Sequence, residues 1–406
     1  MARWRWFQSP YGVLFWCWFI YGTLYLGRLN VAAVLPLLRE EMGYSHGQAG
    51  MLVSVFYMIY AAGQLPAGYM GDRFSSRLVV AVGALISAAA NAGFSLARIF
   101  PSFLFFQGLS GLGQAGGWGP NIRILVNWIP VDRRGTAIGL FSTSVSFFTV
   151  LAYVMAASLA DRWGWRASFQ GPAAVMVIGV ALYLLAVRNR PDAAAANPGG
   201  SHDRTPTERP ALFRTIMSSR DMWVFLGSYW TLQYLTYGIH IWFPSYIHET
   251  FQVSLTGSAA IAGLVPIMGV AARPLGGYIS DTRFRGRRMP MIAGGMAVVF
   301  ALLAGLSLIS DLKWVLLILP ALGVATQFFH PLYYALPADL ISSRAASTGS
   351  GFLDAGGHVA SILATLVSGW LLDVTGSYRI IILSFALTAL AGFVLSLRIP
   401  DVPRRR

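Results

Sequence analysis

The chain has 406 residues, 56% of them hydrophobic and 11% charged, with a mean hydropathy of +0.59. A soluble globular protein carries about a quarter charged residues, so this composition excludes that class and indicates a helical membrane protein. The net charge of +14 at pH 7 does not signal a nucleic-acid partner, because it is almost all arginine placed in alternate loops between apolar runs.

Apolar stretches recur near 11–38, 46–70, 78–97, 101–129, 135–160 and 167–187. A second series follows near 221–248, 257–280, 289–309, 314–338, 347–373 and 376–398. Each is long enough to cross about 30 Å of hydrocarbon as a helix. The pattern predicts an all-α membrane protein of twelve transmembrane helices in two six-helix bundles. Residues 1–187 form the N-terminal bundle, 188–220 a cytoplasmic linker, and 221–406 the C-terminal bundle with a short basic tail. The first run is too long for a signal-peptide core and no A-x-A site follows it, so it is expected to stay as a helix. The linker is rich in Pro, Ala, Gly and charge and lacks apolar periodicity. Arg3, Arg5, Arg73, Arg77, Arg133, Arg134, Arg283 to Arg288 and Arg344 fall on the same side as the linker. The positive-inside rule therefore places both termini in the cytoplasm, with the chain in the cell inner membrane. Cys17, the single cysteine, can form no internal disulfide.

In the first predicted helix, Tyr21, Tyr25 and Arg28 follow i, i+4, i+7 spacing and share one face. Arg28 lies near mid-bilayer, where a cation is costly unless it serves a ligand or a partner charge. Its planar fork suits a carboxylate, sulfonate or phosphate, and the tyrosine hydroxyls can donate to the same anion. A structural pair with an acidic residue is the competing reading. Asn30 is turned about 200° from Arg28 and is expected to bond neighbouring helices.

Arg123, with Asn121 beside it, follows Gly116, Gly117, Gly119 and Pro120, which permit close helix approach and an unwound backbone. Both are candidate substrate contacts, although Arg123 is also able to reach the interface along its own length. In the seventh predicted helix Gln233, Thr236, Tyr237 and His240 form a polar stripe that cannot cheaply face lipid. His330 and Tyr333 flank Pro331 in the tenth, as further candidates for substrate contact or helix-to-helix bonding. Asp354 and His358 form an i, i+4 pair in the eleventh, suited to carrying a proton or to neutralising an internal cation. No Walker loop, H-E-x-x-H, serine elbow or cysteine cluster is present, so neither an enzyme, a metal nor a cofactor is expected.

The two halves resemble each other. Gly68-x-x-x-Asp72-Arg73 closes the second helix and Gly277-x-x-x-Asp281 the eighth, an offset of 209 residues. Internal duplication around a midplane site is a transporter signature. The stretch GYMGDRFSSR at 68–77 resembles the loop motif of the major facilitator superfamily, with Ser75 where glycine is usual. By that resemblance Asp72, Arg73 and Asp281 are expected to gate the cytoplasmic side; positive-inside anchoring is the plainer reading.

Within that superfamily the chain looks most like the organophosphate:phosphate antiporters and the anion:cation symporters. The likeness rests on Y-x-x-x-Y-x-x-R-x-N at Tyr21 to Asn30, on 116–139, on YLTYGIHIWFPSY at 234–246 and on 280–288. It implies that Arg28 and its tyrosines line an anion site. Three cationic positions of the antiporters fall here on Gln64, Val145 and Thr236, which favours a carboxylate-type monoanion over a phosphate ester. The expected function is secondary transport of a small organic anion by alternating access, with a co- or counter-transported ion and the bilayer as the remaining partners. A monomer is expected. A transporter of a neutral or cationic solute with Arg28 structural, or a non-transporting sensor on the same fold, are the alternatives.

Overall fold

The computed structural model describes residues 9–130, 133–189, 218, 220–284, 288–333 and 346–399, with no strand among them. Fourteen helices are bounded within those residues. In the first half they are α1 (Pro10–Met42), α2 (His46–Arg73), α3 (Ser76–Leu96), α4 (Phe100–Ala115), α5 (Trp118–Trp128), α6 (Arg134–Trp163) and α7 (Ala167–Ala186). The second half holds α8 (Arg220–Phe251), α9 (Leu255–Ala262), α10 (Leu264–Thr282), α11 (Met289–Leu306), α12 (Leu312–Gln327), α13 (Ala346–Thr375) and α14 (Tyr378–Ser396). They fall in the twelve predicted segments, two of which are broken in the middle. The first break, between α4 and α5, falls at Gly116 and Gly117; the second, between α9 and α10, falls at Gly263. Most of the predicted linker lies outside the described residues.

Nine helices among the described residues are long and apolar enough to cross a membrane. The segments that fall short, α2, α4 with α5, and α8, carry the glycines and polar stripes singled out above. Helix ends follow local chemistry. Ser9 caps α1 by accepting from the Gly12 amide at 3.1 Å, Pro10 opens the first turn, and Gly43, at φ 69°, closes the helix. Ser45 and Gln48 form a reciprocal capping box at the start of α2.

The chain divides into two compact units, Met1–Ser201 with Gln252–Gly263, and His202–Phe251 with Leu264–Arg406. Helix α9 therefore packs with the first unit, against α6, although it follows α8 in the chain. Packing within each unit repeats. In the first, α1 lies against α6 and α7, α2 against α4, and α3 against α7. In the second, α8 lies against α13 and α14, α10 against α12, and α11 against α14. The duplication read from the loop motifs is thus a duplication of helix neighbours.

Both units expose large apolar side chains on the outside and bury polar side chains among a mostly apolar interior. Phe105, Leu185, Val298, Leu317 and Leu387 are exposed, whereas Ser87, Asn91, Gln114, Ser228 and Ser361 are buried. A lipid environment accounts for both features, because the outer surface need not be polar there and helix association relies on small residues and hydrogen bonds. The aromatic cluster of Phe94, Phe103, Trp165 and Phe169 fills one end of the first unit, with Phe94 stacked on Phe169 at 4.2 Å.

The departure from the family motif at Ser75 has a structural cause. Its hydroxyl accepts from the Leu78 amide at 3.3 Å, capping α3, and from Asn189 Nδ2 at 2.7 Å. Asn189 Oδ1 in turn accepts from the Arg77 amide at 2.9 Å. The chain leaving α7 is thereby pinned to the α2–α3 loop. Ser75→Gly should remove both bonds, costing about 1 kcal/mol and lowering the melting temperature by roughly 1–2 °C, as thermal unfolding in detergent would show.

Candidate functional site

Helix α1 is enclosed within its unit: every residue from Ile20 to Pro36 is buried. Arg28 is only 4% exposed. Its Nε donates to Gln114 Oε1, on α4, at 2.8 Å. The guanidinium carbon lies 4.4 Å from the Tyr25 ring centre, 4.5 Å from Tyr60 and 5.5 Å from Phe56. Tyr21 and Tyr57 complete its electrostatic neighbours. Nη2 is buried and has no hydrogen-bond partner among the described residues.

This environment orients the cation without cancelling its charge. Cation–π contact is worth about 0.5–2 kcal/mol and leaves the full positive charge in place. Among the described residues no carboxylate pairs with Arg28. Gln114 is itself constrained, since its Nε2 donates to Ser87 Oγ at 3.0 Å and lies 3.4 Å from Ser110 Oγ. With the amide nitrogen engaged there, the amide oxygen is turned to Arg28. The network continues from Ser87 and Ser110 to Asn91 and from Asn91 to Asn30 at 2.9 Å. Asn30 also donates to the Ser168 carbonyl at 3.1 Å, tying α1 to α7. A chain of neutral amides and hydroxyls across four helices therefore holds one guanidinium in place.

The structure brings Tyr21, Tyr25 and Arg28 together as the spacing predicts. Tyr21 also packs on Trp118 at 5.3 Å and on Phe141 at 5.1 Å, which fixes the stripe against α5 and α6. Arg123 is placed elsewhere: its Nη1 donates to the Gly71 carbonyl at 2.8 Å, joining α5 to the motif end of α2. Asn121 donates to the Gly117 carbonyl and accepts from Tyr183 Oη at 3.2 Å, so it closes the α4–α5 break onto α7. Arg73 Nη1 donates to Tyr69 Oη at 3.0 Å on the exposed end of α2. The side chains of Asp72, Asp281 and Asp354 lie outside the described residues.

In the second unit Gln233, Thr236 and His240 are buried on α8, as the stripe predicts, and the Tyr237 ring lies 6.5 Å from that of His358 on α13. Thr236 donates to the Leu232 carbonyl of its own helix at 2.8 Å. Gln233 Oε1 is buried without a hydrogen-bond partner among the described residues, and the Gln233 side chain lies against Gly357 of α13. His330 lies edge-on to Tyr229 at 6.4 Å. Tyr333 Oη meets Ser228 Oγ at 2.8 Å and its ring stacks on Phe225, so this tyrosine braces α8. Sequence patterning passed over Phe56, Tyr57, Tyr60 and Gln114. The aromatic run F-Y-x-x-Y in α2 and the glutamine two residues before Gly116 were the available signals.

A family model described as Major Facilitator Superfamily matches residues 17–365, and the chain belongs to that superfamily. It is a multi-pass membrane protein of a transporter family. It is 24% identical to the probable galactarate/D-glucarate transporter of Bacillus subtilis (strain 168), over 92% of this chain and 87% of that protein. It is 28% identical to the probable sulfoacetate transporter of Cupriavidus necator, over 88% of this chain and 86% of that one. In fold it resembles a bacterial homologue of the human lysosomal transporter Spinster, with a TM-score of 0.82 at 16% identity, covering 97% and 98% of the two chains.

Proposed function

We propose that the protein transports a small organic anion by alternating access, and that Arg28 is the group that holds the anion. The observation that carries this reading is a buried guanidinium, oriented by a neutral amide and three aromatic rings, with no described carboxylate to neutralise it. A structural ion pair would need such a carboxylate. A buried guanidinium that the described residues leave uncompensated is instead suited to a negatively charged guest. The names of the glucarate and sulfoacetate transporters, both for organic acids, support the same class and favour a carboxylate or sulfonate over a neutral solute. Binding energy realised in one state of the transporter and not the other shifts the equilibrium between them. Asp354 and His358 are assigned to coupling, and Asp72, Arg73 and Asp281 to gating. The cytoplasmic side is the one bearing both termini.

Reconstitution tests this directly. Proteoliposomes should take up one or more of D-glucarate, D-gluconate and sulfoacetate, and unlabelled anions should compete while glucose and mannitol should not. Uptake of the neutral sugars, or none of the organic acids, rejects the reading.

A further inference from the structure

One stretch from the second half of the sequence is seated on the first unit. Residues Gln252–Gly263, which carry α9, belong to that unit, whereas Phe251 before them and Leu264 after them belong to the other. The principal helix neighbours of α9 are α6 and then α1. Its buried residues, Leu255, Ser258, Ala259 and Ala262, follow i, i+3, i+4, i+7 spacing, so one face is covered and three of its four side chains are small. At one end of the seam Thr256 Oγ1 donates to Asp161 Oδ2, near the end of α6. At the other, a Cβ on Gly263 would lie 3.3 Å from Val150 Cγ1, midway along α6. The two contacts set α9 antiparallel to α6.

Both points where the chain passes from one unit to the other are built to bend. Gln252 is the one non-glycine residue at positive φ among the described residues, at 54°, a conformation that glycine adopts without strain. Gly263 is the single residue between α9 and α10, and there the helix is interrupted. Residues that absorb a backbone change in a hinge sit at element ends of this kind. Between the two points α9 is complete in itself, since Ser254 caps it by accepting from the Gly257 amide at 3.1 Å. The helix carries no charged residue, so the seam can part without stranding a buried charge. What holds it is small-residue packing and one hydrogen bond at an exposed edge.

We propose that Gln252–Gly263 is a releasable latch, seated on α6 in one state of the transport cycle and parted from it in the other, with the Thr256–Asp161 bond setting how readily it leaves. The chain bends at Gln252 and Gly263, and α9 moves as one body between them. A contact made in only one of two states weights the equilibrium toward that state by its own free energy. The proposal rests on the alternating-access reading above and names a moving part for it.

Two measurements on the full-length protein test the latch. Release is followed in detergent, without cargo, by the rate at which a water-soluble maleimide labels Ser258→Cys, at a position fully buried in the seam. The wild-type chain, whose Cys17 is buried, is the background. Labelling should be slow but complete, roughly tenfold faster when Thr256→Val removes the donor, and within about twofold of the parent when Thr256→Ser keeps it. Ala259→Cys, equally buried, replaces Ser258→Cys if that variant fails to fold. No labelling in any background, or equal rates in the valine and serine variants, overturns the proposal. In proteoliposomes, Asp161→Cys combined with Thr256→Cys would be joined by a short bifunctional thiol reagent that a reductant cleaves. Uptake of D-glucarate or sulfoacetate, whichever the unlinked protein carries, should fall by about tenfold or more and return on reduction. Unaltered uptake by the linked protein overturns the latch. Absence of uptake before linking rejects the transport reading, while the labelling rates decide the release of α9 independently of it.

Discussion

Arg28→Lys should reduce the initial rate of anion uptake into proteoliposomes roughly a hundredfold while the protein remains folded and monodisperse. The substitution keeps the formal charge and removes the geometry. Lysine has no Nε–H to place on Gln114 Oε1, which in the native protein accepts at 2.8 Å. Its ammonium is a compact, strongly hydrated charge, whereas guanidinium is planar, weakly hydrated and able to lie between the Tyr25 and Tyr60 rings at 4.4 and 4.5 Å. Two parallel N–H bonds to a carboxylate or sulfonate become one point contact. Wild-type rates in the lysine variant would show that only charge matters at this position. Loss of folding would show that the aromatic cage serves the scaffold first.

Gly113→Ala should damage stability and transport together. A Cβ at Gly113 would lie 2.5 Å from the Gly83 carbonyl oxygen and 2.8 Å from the Ser87 amide nitrogen; one at Gly83 would lie 2.3 Å from the Gly113 carbonyl oxygen. These are backbone atoms of α3 and α4, and no side chain can swing aside to make room. The helices must separate, at a cost of about 1–3 kcal/mol. Separation also stretches the 3.0 Å contacts of Ser87 with Ser110 and with Gln114, the residue that aims Arg28. A lowered melting temperature with uptake lost in proportion to the misplaced amide is the expected result. Gly139→Ala, at a position whose Cβ would meet nothing within 4 Å, is the control and should be neutral. Equal behaviour of the two variants would remove the argument that this crossing positions the site.

Much of the architecture was legible because its signals are local. Apolar runs located the helices, Gly116 and Gly117 marked where the fourth segment breaks, and the loop motifs at Gly68 and Gly277 disclosed the duplication. The Tyr21–Tyr25–Arg28 stripe was legible for the same reason, since helical spacing alone puts those residues on one face. The partners of Arg28 were not. Phe56, Tyr57, Tyr60 and Gln114 reach it from α2 and α4, and periodicity along one helix carries no information about which neighbour it meets. Arg123 has a partner that spacing along its helix did not disclose: its guanidinium donates to the Gly71 carbonyl at the motif end of α2. The contact of Tyr333 with Ser228 of α8 was hidden in the same way.

The choice of glutamine as the companion of Arg28 has a consequence for how the transporter responds to acidity. An amide neither gains nor loses a proton in water, and a guanidinium stays cationic throughout the range in which cells live. Their contact therefore grips equally well at pH 5 and pH 8. Any acid dependence of flux belongs to groups beyond this anchor, so a flat affinity combined with a sloping turnover is the signature to seek.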